Sequence, residues 1–150
     1  MLKYFYLEGT VCKLCNITGY YFHTGEFCLS TMQFEGVNWY LVRRNAKTDE
    51  WHEATDNALG TDTYGIAKND PTGATTFSIA YKEFKWTKIM FAFGSLDKWI
   101  VLERTNFETV VEAGCPEECG DAITVVKASD TGGVFYMRSE RDPAISAGPD

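Results

Sequence analysis

The sequence predicts an all-β chain, an antiparallel β-sandwich of jelly-roll or Greek-key type with irregular loops. Three observations predict it. Strand-length runs recur at roughly ten-residue spacing through the second half, turn clusters separate them, and no long amphipathic helix intervenes. The aromatic share is high at 15%, and ten Phe, eight Tyr and four Trp with many Thr, Val and Ile suit a pleated, half-buried surface. At 150 residues, 45% of them hydrophobic and 23% charged, the chain is long enough to bury one core. The division that follows is a single domain over 1–150, with a cysteine-bearing N-terminal arm or hairpin at 1–37 and a core β module at 38–146.

In chain order, Tyr4 to Leu7 predicts a strand and Glu8-Gly9 a turn. Gly19 to His23 and Phe27 to Ser30, joined by Thr24-Gly25-Glu26, predict a hairpin. The stretch from Asn38 to Arg44 is the best central strand, with Trp39, Leu41 and Arg43 on one side of the pleat and Tyr40, Val42 and Arg44 on the other. Loops follow to Asp62, with one or two helical turns between Trp51 and a stop at Gly60. Lys68 to Gly73 is a turn cluster around Pro71. Further strands are expected at Thr75–Tyr81, Lys88–Gly94, Lys98–Arg104, Phe107–Val111, Ala122–Ala128 and Val134–Arg138, and a short edge segment from Arg141 onward, where Pro143 removes a ladder donor.

Charge narrows the function classes. The net charge is −7 and no basic cluster is denser than Arg43-Arg44, so recognition of nucleic acid through its phosphates is not expected. No apolar run approaches the length of a membrane-spanning helix. The N-terminus has a short aromatic patch but no long apolar core and no small-residue cleavage site, so it does not match a secretory leader. An extracellular or particle-surface location is nonetheless the expectation, and Asn16-Ile17-Thr18 would be a glycosylation sequon there.

Several groups of residues are candidates for chemistry. Cys12 and Cys15, with Cys115 and Cys119, are two close pairs that as thiolates would hold zinc, with Cys28 or His23 as spare ligands. The same cysteines are equally suited to disulfides or to buried thiols. Calcium is a second cation reading, through Asp56, Asp62, Asn69 and Asp70, although no acidic loop of EF-hand spacing occurs. His52 with Glu53 or Asp56 would serve a small hydrolase or lyase as acid and base, yet no serine sits in a nucleophile elbow. Trp51 and Trp86 lie among charged residues and are expected to be exposed, whereas Trp99 reads as core. The candidate ligand-binding set is therefore Trp51, His52, Asp56, Asp62, Tyr64 and Trp86, for a glycan or protein partner.

Trp39, Leu41, Val42, Arg43 and Arg44, then Trp51, His52, Ala54, Thr55, Asp56, Gly60, Thr61, Tyr64 and Gly65, form a pattern that continues to Asp142-Pro143 and Ile145-Ser146. It resembles a β-rich module of marine invertebrate and protist proteins. The likeness covers residues 38–146 and implies no catalytic or binding residue. That module usually carries an aromatic residue where Ala144 stands and runs on into a further strand. Lacking it, this chain is expected to keep an open edge that invites a homo-oligomer. The function expected is a non-enzymatic recognition or adhesion module, with a structural subunit of a matrix, appendage or virion as the first alternative.

Overall fold

A computed structural model describes residues 2–10, 21–23, 26–28, 31–46, 58–65, 74–113, 124–130, 134–137 and 143–146. In chain order they form β1 (Lys3–Thr10), β2 (Tyr21–His23), β3 (Glu26–Cys28), β4 (Thr31–Phe34), β5 (Val37–Asn45), β6 (Phe77–Ser78), β7 (Lys85–Phe93), β8 (Trp99–Glu103), α1 (Arg104–Ala113), β9 (Val125–Ala128), β10 (Val134–Met137) and β11 (Pro143–Ser146). Among the described residues, seven strands make one antiparallel sheet in the order β4-β5-β1-β7-β8-β9, with β6 also on β5. β4 pairs with the Val37–Tyr40 end of β5 and β6 with Arg43 and Arg44. The expected hairpin is present as β2–β3, and β10–β11 form another. The protein is thus strand-dominated and antiparallel, with one short helix among the described residues.

The sheet is strongly curled. Phe34 of β4 and Trp99 of β8 meet edge to face, with ring centroids 5.1 Å apart. Four strand spacings separate them, about 19 Å if the sheet were flat. Glu35, in the turn between β4 and β5, also forms an ion pair with Lys127 of β9. The turn itself uses Glu35 and Gly36 at φ 49° and 77°, the paired positive angles of a tight type I′ hairpin.

Cross-strand partners share a face, so the register sorts the side chains. Tyr4, Ala92 and Trp99 lie opposite one another, as do Tyr6, Met90 and Val101. With Phe34 and Trp39 they make the concave face. The convex face carries Phe5, Phe91 and Ile100 in one rung and Leu7, Ile89 and Leu102 in the next. Helix α1 covers that second face, placing Phe107 5.7 Å from Phe91 and 6.0 Å from Trp86. All of these convex-face strand residues, with Phe107 and Val111, are buried.

Two bulges decide which side chains reach which face. Between Phe5 and Tyr6 the pairing with β5 shifts, so that Arg43 stands opposite Phe5 and Leu41 opposite Tyr6. Leu41 and Arg43 therefore occupy opposite faces, which corrects the uninterrupted alternation expected for 39–44. Between Glu8 and Gly9 the pairing with β7 shifts again. Glu8-Gly9 is consequently a bulge inside β1 rather than the expected turn. The extra residue, Thr87, turns Trp86 toward Phe107 and Tyr81.

The segment Phe107–Val111, expected as a strand, lies in α1. Phe107, Val110 and Val111 recur at helical spacing, and Arg104 pairs with Glu108 one turn on, at 2.8 Å. Of the run Thr75–Tyr81 only Phe77–Ser78 is strand. The strand β4 was not anticipated. Trp99 is half-buried against the core rather than fully enclosed.

Gly9 has φ 148°, and a Cβ there would stand 2.5 Å from both the Lys85 carbonyl oxygen and the Trp86 Cα. Gly9→Val should destabilise by about 3 kcal/mol, from backbone strain plus overpacking, read as a lower midpoint in urea unfolding. Burial pushes the Tyr6 hydroxyl well above the usual phenol range, with Tyr4 adding to the shift and Arg44 opposing it. The folded state therefore keeps a proton that the unfolded chain releases near pH 10. This contribution is fully present below about pH 10 and is lost as pH rises beyond it. Tyr6→Phe should flatten the alkaline fall in stability, measured by urea unfolding across pH 9 to 11.

Candidate functional site

The longest connection in the described topology runs from Ala46 to Thr76, between β5 and β6, and it holds most of the candidate ligand residues. Long connections on a rigid sheet are where binding residues concentrate. Its exit and return are tied together. Arg44 donates through Nε to the Thr75 carbonyl at 2.7 Å, and the Ala46 amide donates to Thr76 Oγ1 at 3.0 Å. The Arg44 guanidinium also lies 5.0 Å from the centre of the Phe77 ring.

Inside the connection, residues 58–65 fold back onto 78–82. Tyr64 and Ser78 exchange backbone hydrogen bonds of 3.0 and 2.8 Å. Ala80 donates its amide to Thr63 Oγ1 at 3.2 Å, and Lys82 donates to the Gly60 carbonyl at 3.0 Å. The Tyr81 hydroxyl donates to the Ala58 carbonyl at 2.7 Å. Gly60 lies flat against the Tyr81 ring, where a Cβ would come within 2.4 Å of it. Ala58, Gly60 and Gly65 all have positive φ, at 65°, 75° and 77°. A non-glycine residue held in that region is strained, and the surrounding bonds hold it there.

Beneath this segment sits Arg43, fully buried. Its guanidinium carbon is 5.3 Å from the Phe5 ring centre, 5.2 Å from that of Tyr81 and 5.6 Å from that of Tyr64. Nε donates to Ser78 Oγ at 2.8 Å, and that hydroxyl donates on to the Ile79 carbonyl. A planar cation among three aromatic faces gains more than it would at the surface, because water does not screen it. Arg43 thus joins the sheet, through Phe5, to the loop, through Tyr64. From the other side Arg104 of α1 donates to the Phe84 and Lys82 carbonyls, each at 2.8 Å, and lies 4.5 Å from the Trp86 ring centre.

Of the candidate ligand residues, Asp62 and Tyr64 are half-buried on the stitched segment. Trp86 corrects its expectation: it is 4% exposed, and its indole N–H donates to the Tyr81 carbonyl at 3.2 Å, so it is core rather than contact surface. The bulge at Gly9 is the reason, since it rotates Trp86 away from the face of its charged neighbours. Trp51, His52 and Asp56 lie outside the described residues, as do Glu53, Asn69 and Asp70. Cys12, Cys15, Cys115 and Cys119 lie outside them too. Among the described residues no three His, Cys, Asp or Glu side chains come together to hold a metal ion. Nor is any helix among them long and apolar enough to cross a membrane.

Arg43 was not among the candidates, although a signal for it existed. Two consecutive arginines in a strand must face opposite sides, so one of them enters the covered side of the sheet. Comparison of the chain with protein-family models, curated proteins and solved structures gives no match.

Arg43→Lys should lower stability by about 2 kcal/mol, because a lysine loses the stacked guanidinium and the hydrogen bond to Ser78. Thermal unfolding gives the loss. Limited proteolysis should show earlier cleavage within 46–76, the segment that Arg43 holds through Tyr64.

Proposed function

We propose that this chain is a non-enzymatic recognition or adhesion module that engages a glycan or protein partner through the 46–76 connection. The observation that carries the reading is the anchoring of that connection. Arginine-mediated packing and seven backbone or side-chain hydrogen bonds hold residues 58–65 and 74–76 to β5, β6 and the segment after β6. Such anchoring preorganises a loop, which lowers the ordering cost of binding. Trp51 supplies the aromatic contact, His52, Asp56 and Asp62 the polar ones, and Tyr64 the hinge to the sheet. The jelly-roll or Greek-key closure goes with this reading, and the curl that brings Phe34 to Trp99 supports it. An extracellular or particle-surface location belongs to the same proposal.

A second reading, a structural subunit that self-associates, draws on β11, which among the described residues pairs with β10 alone. An unpaired strand edge accepts another chain. Zinc or calcium at the cysteine pairs or the Asx-rich loop would suit either reading.

Binding of cell-surface glycans and proteins to the immobilised chain tests the first reading. Trp51→Ala should lose at least tenfold in affinity with unchanged thermal stability. Retained binding in that variant removes the connection as the site. Concentration-dependent oligomers in light scattering, abolished by Ile145→Pro, would instead favour self-association.

A further inference from the structure

The β4–β5 hairpin stands apart from the rest of the sheet. β1 pairs with β5 from Asn45 only as far as Tyr40, so among the described residues Val37, Asn38 and Trp39 have β4 as their one strand partner. β4 in turn pairs with β5 alone. The arm begins where β5 bends. Arg43 stands opposite Phe5 and Leu41 opposite Tyr6, which leaves Val42 as the extra residue of a bulge. A bulge bends the strand that carries it, and this one turns residues 31–40 over the concave face.

The tip of the arm touches the far side of the sheet. Phe34 rests on Trp99 of β8, and Glu35 pairs with Lys127 of β9. β1 and β7 lie between, and their concave-face residues Tyr6 and Met90 are buried, as is Val101 of β8. The two side chains of the ion pair are 47% and 42% exposed, so water and salt weaken it. Trp39 lies in the arm, two residues from Leu41 and therefore on the concave side. It is 2% exposed, yet its indole N–H has no hydrogen-bond partner among the described residues. A buried donor left unpaired opposes the closed arrangement. Trp86 is the contrast, since it is equally enclosed but its N–H donates to the Tyr81 carbonyl.

We propose that the β4–β5 hairpin is a hinged flap that swings on the Val42 bulge and is latched at its tip by Phe34 and Glu35. Closed, it seals the concave face. Open, it keeps its own β4–β5 pairing, gives the Trp39 N–H to water and uncovers Tyr6, Met90 and Val101. An edge-to-face ring contact and an exposed ion pair hold the tip, while an unmade hydrogen bond pushes against closure, so the two positions lie close in free energy. Salt screens Lys127 from Glu35, so rising ionic strength shifts the flap toward open. The device uses no residue of the 46–76 connection and is independent of the loop reading.

The test is hydrogen exchange at the tryptophan indole N–H groups of the intact chain, followed by NMR with the signals assigned through Trp39→Phe and Trp86→Phe. Flap opening releases the Trp39 N–H without unfolding the sheet, so it should exchange at least about tenfold faster than that of Trp86 and with little dependence on urea. Lys127→Met, or raised salt, should speed Trp39 exchange about twofold to fivefold, the worth of an exposed ion pair. Phe34→Ala should speed it about tenfold, through loss of the ring contact on Trp99. Trp86 is the internal control, since a variant that merely weakened the fold would accelerate both groups alike. Equal rates at Trp39 and Trp86 with the same urea dependence overturn the proposal. So does a Trp39 rate unchanged in either Lys127→Met or Phe34→Ala, or one that rises only in step with that of Trp86.

Discussion

Burial of the Phe5 ring is the contact on which the rest of the structure depends. It packs edge-on against Phe91 at 4.7 Å and against Tyr81 at 6.5 Å, with the Arg43 guanidinium over it. Those three neighbours come from β7, from the link between β6 and β7, and from β5. Phe5 lies in the strand that sits between β5 and β7, so the N-terminal segment is the middle of the sheet rather than an appendage to it. Removing such a ring from a packed interior costs on the order of 3–5 kcal/mol, a large share of what holds a domain of this size together. The partners of β1 are remote in sequence, so its pairing must wait for long-range closure.

Around that contact the sheet is covered on both sides by different means. On the convex side α1 lays Phe107 over Phe91 and Trp86, and Arg104 reaches from the helix to the turn before β7. On the concave side the sheet covers itself, because the curl brings Phe34 onto Trp99 and lets Glu35 pair with Lys127. The exposed ion pair adds little on its own. The aromatic contact beneath it is the stronger closure. Curling also helps to bury Met90 and Val101 fully on a face that no helix covers among the described residues.

The proposed functional reading rests on how the described parts of the 46–76 connection are held. Arg43 and Arg44 are both buried, and Arg44 bonds to Thr75 at the return of the connection while Arg43 bonds to Ser78 of β6 just beyond it. A pair of arginines placed that way ties the return of the connection to β5. At the turn between β7 and β8, the Ser95 hydroxyl holds the Asp97 carboxyl below its usual range, and both groups are exposed, which fits a turn stabilised in water.

Local pattern determined much. The alternating aromatic and β-branched runs placed β1, β5, β7, β8, β9 and the β2–β3 and β10–β11 segments, because a half-buried strand demands that composition whatever lies beside it. Gly60 reads as a break for an equally local reason, and its positive φ agrees. What the sequence could not express was register. A single bulged residue reverses the face of everything beyond it, and the bulges opposite Phe5-Tyr6 and Glu8-Gly9 sent Arg43 and Trp86 into the interior. The helical spacing of Phe107, Val110 and Val111 was present in the letters, but the run of β-branched residues masked it until a sheet face existed for the helix to cover. Tertiary structure alone decided that β1 is central, that the sheet curls, and that Glu8, Lys88 and Glu103 share one rung, since each depends on which distant strand lies alongside.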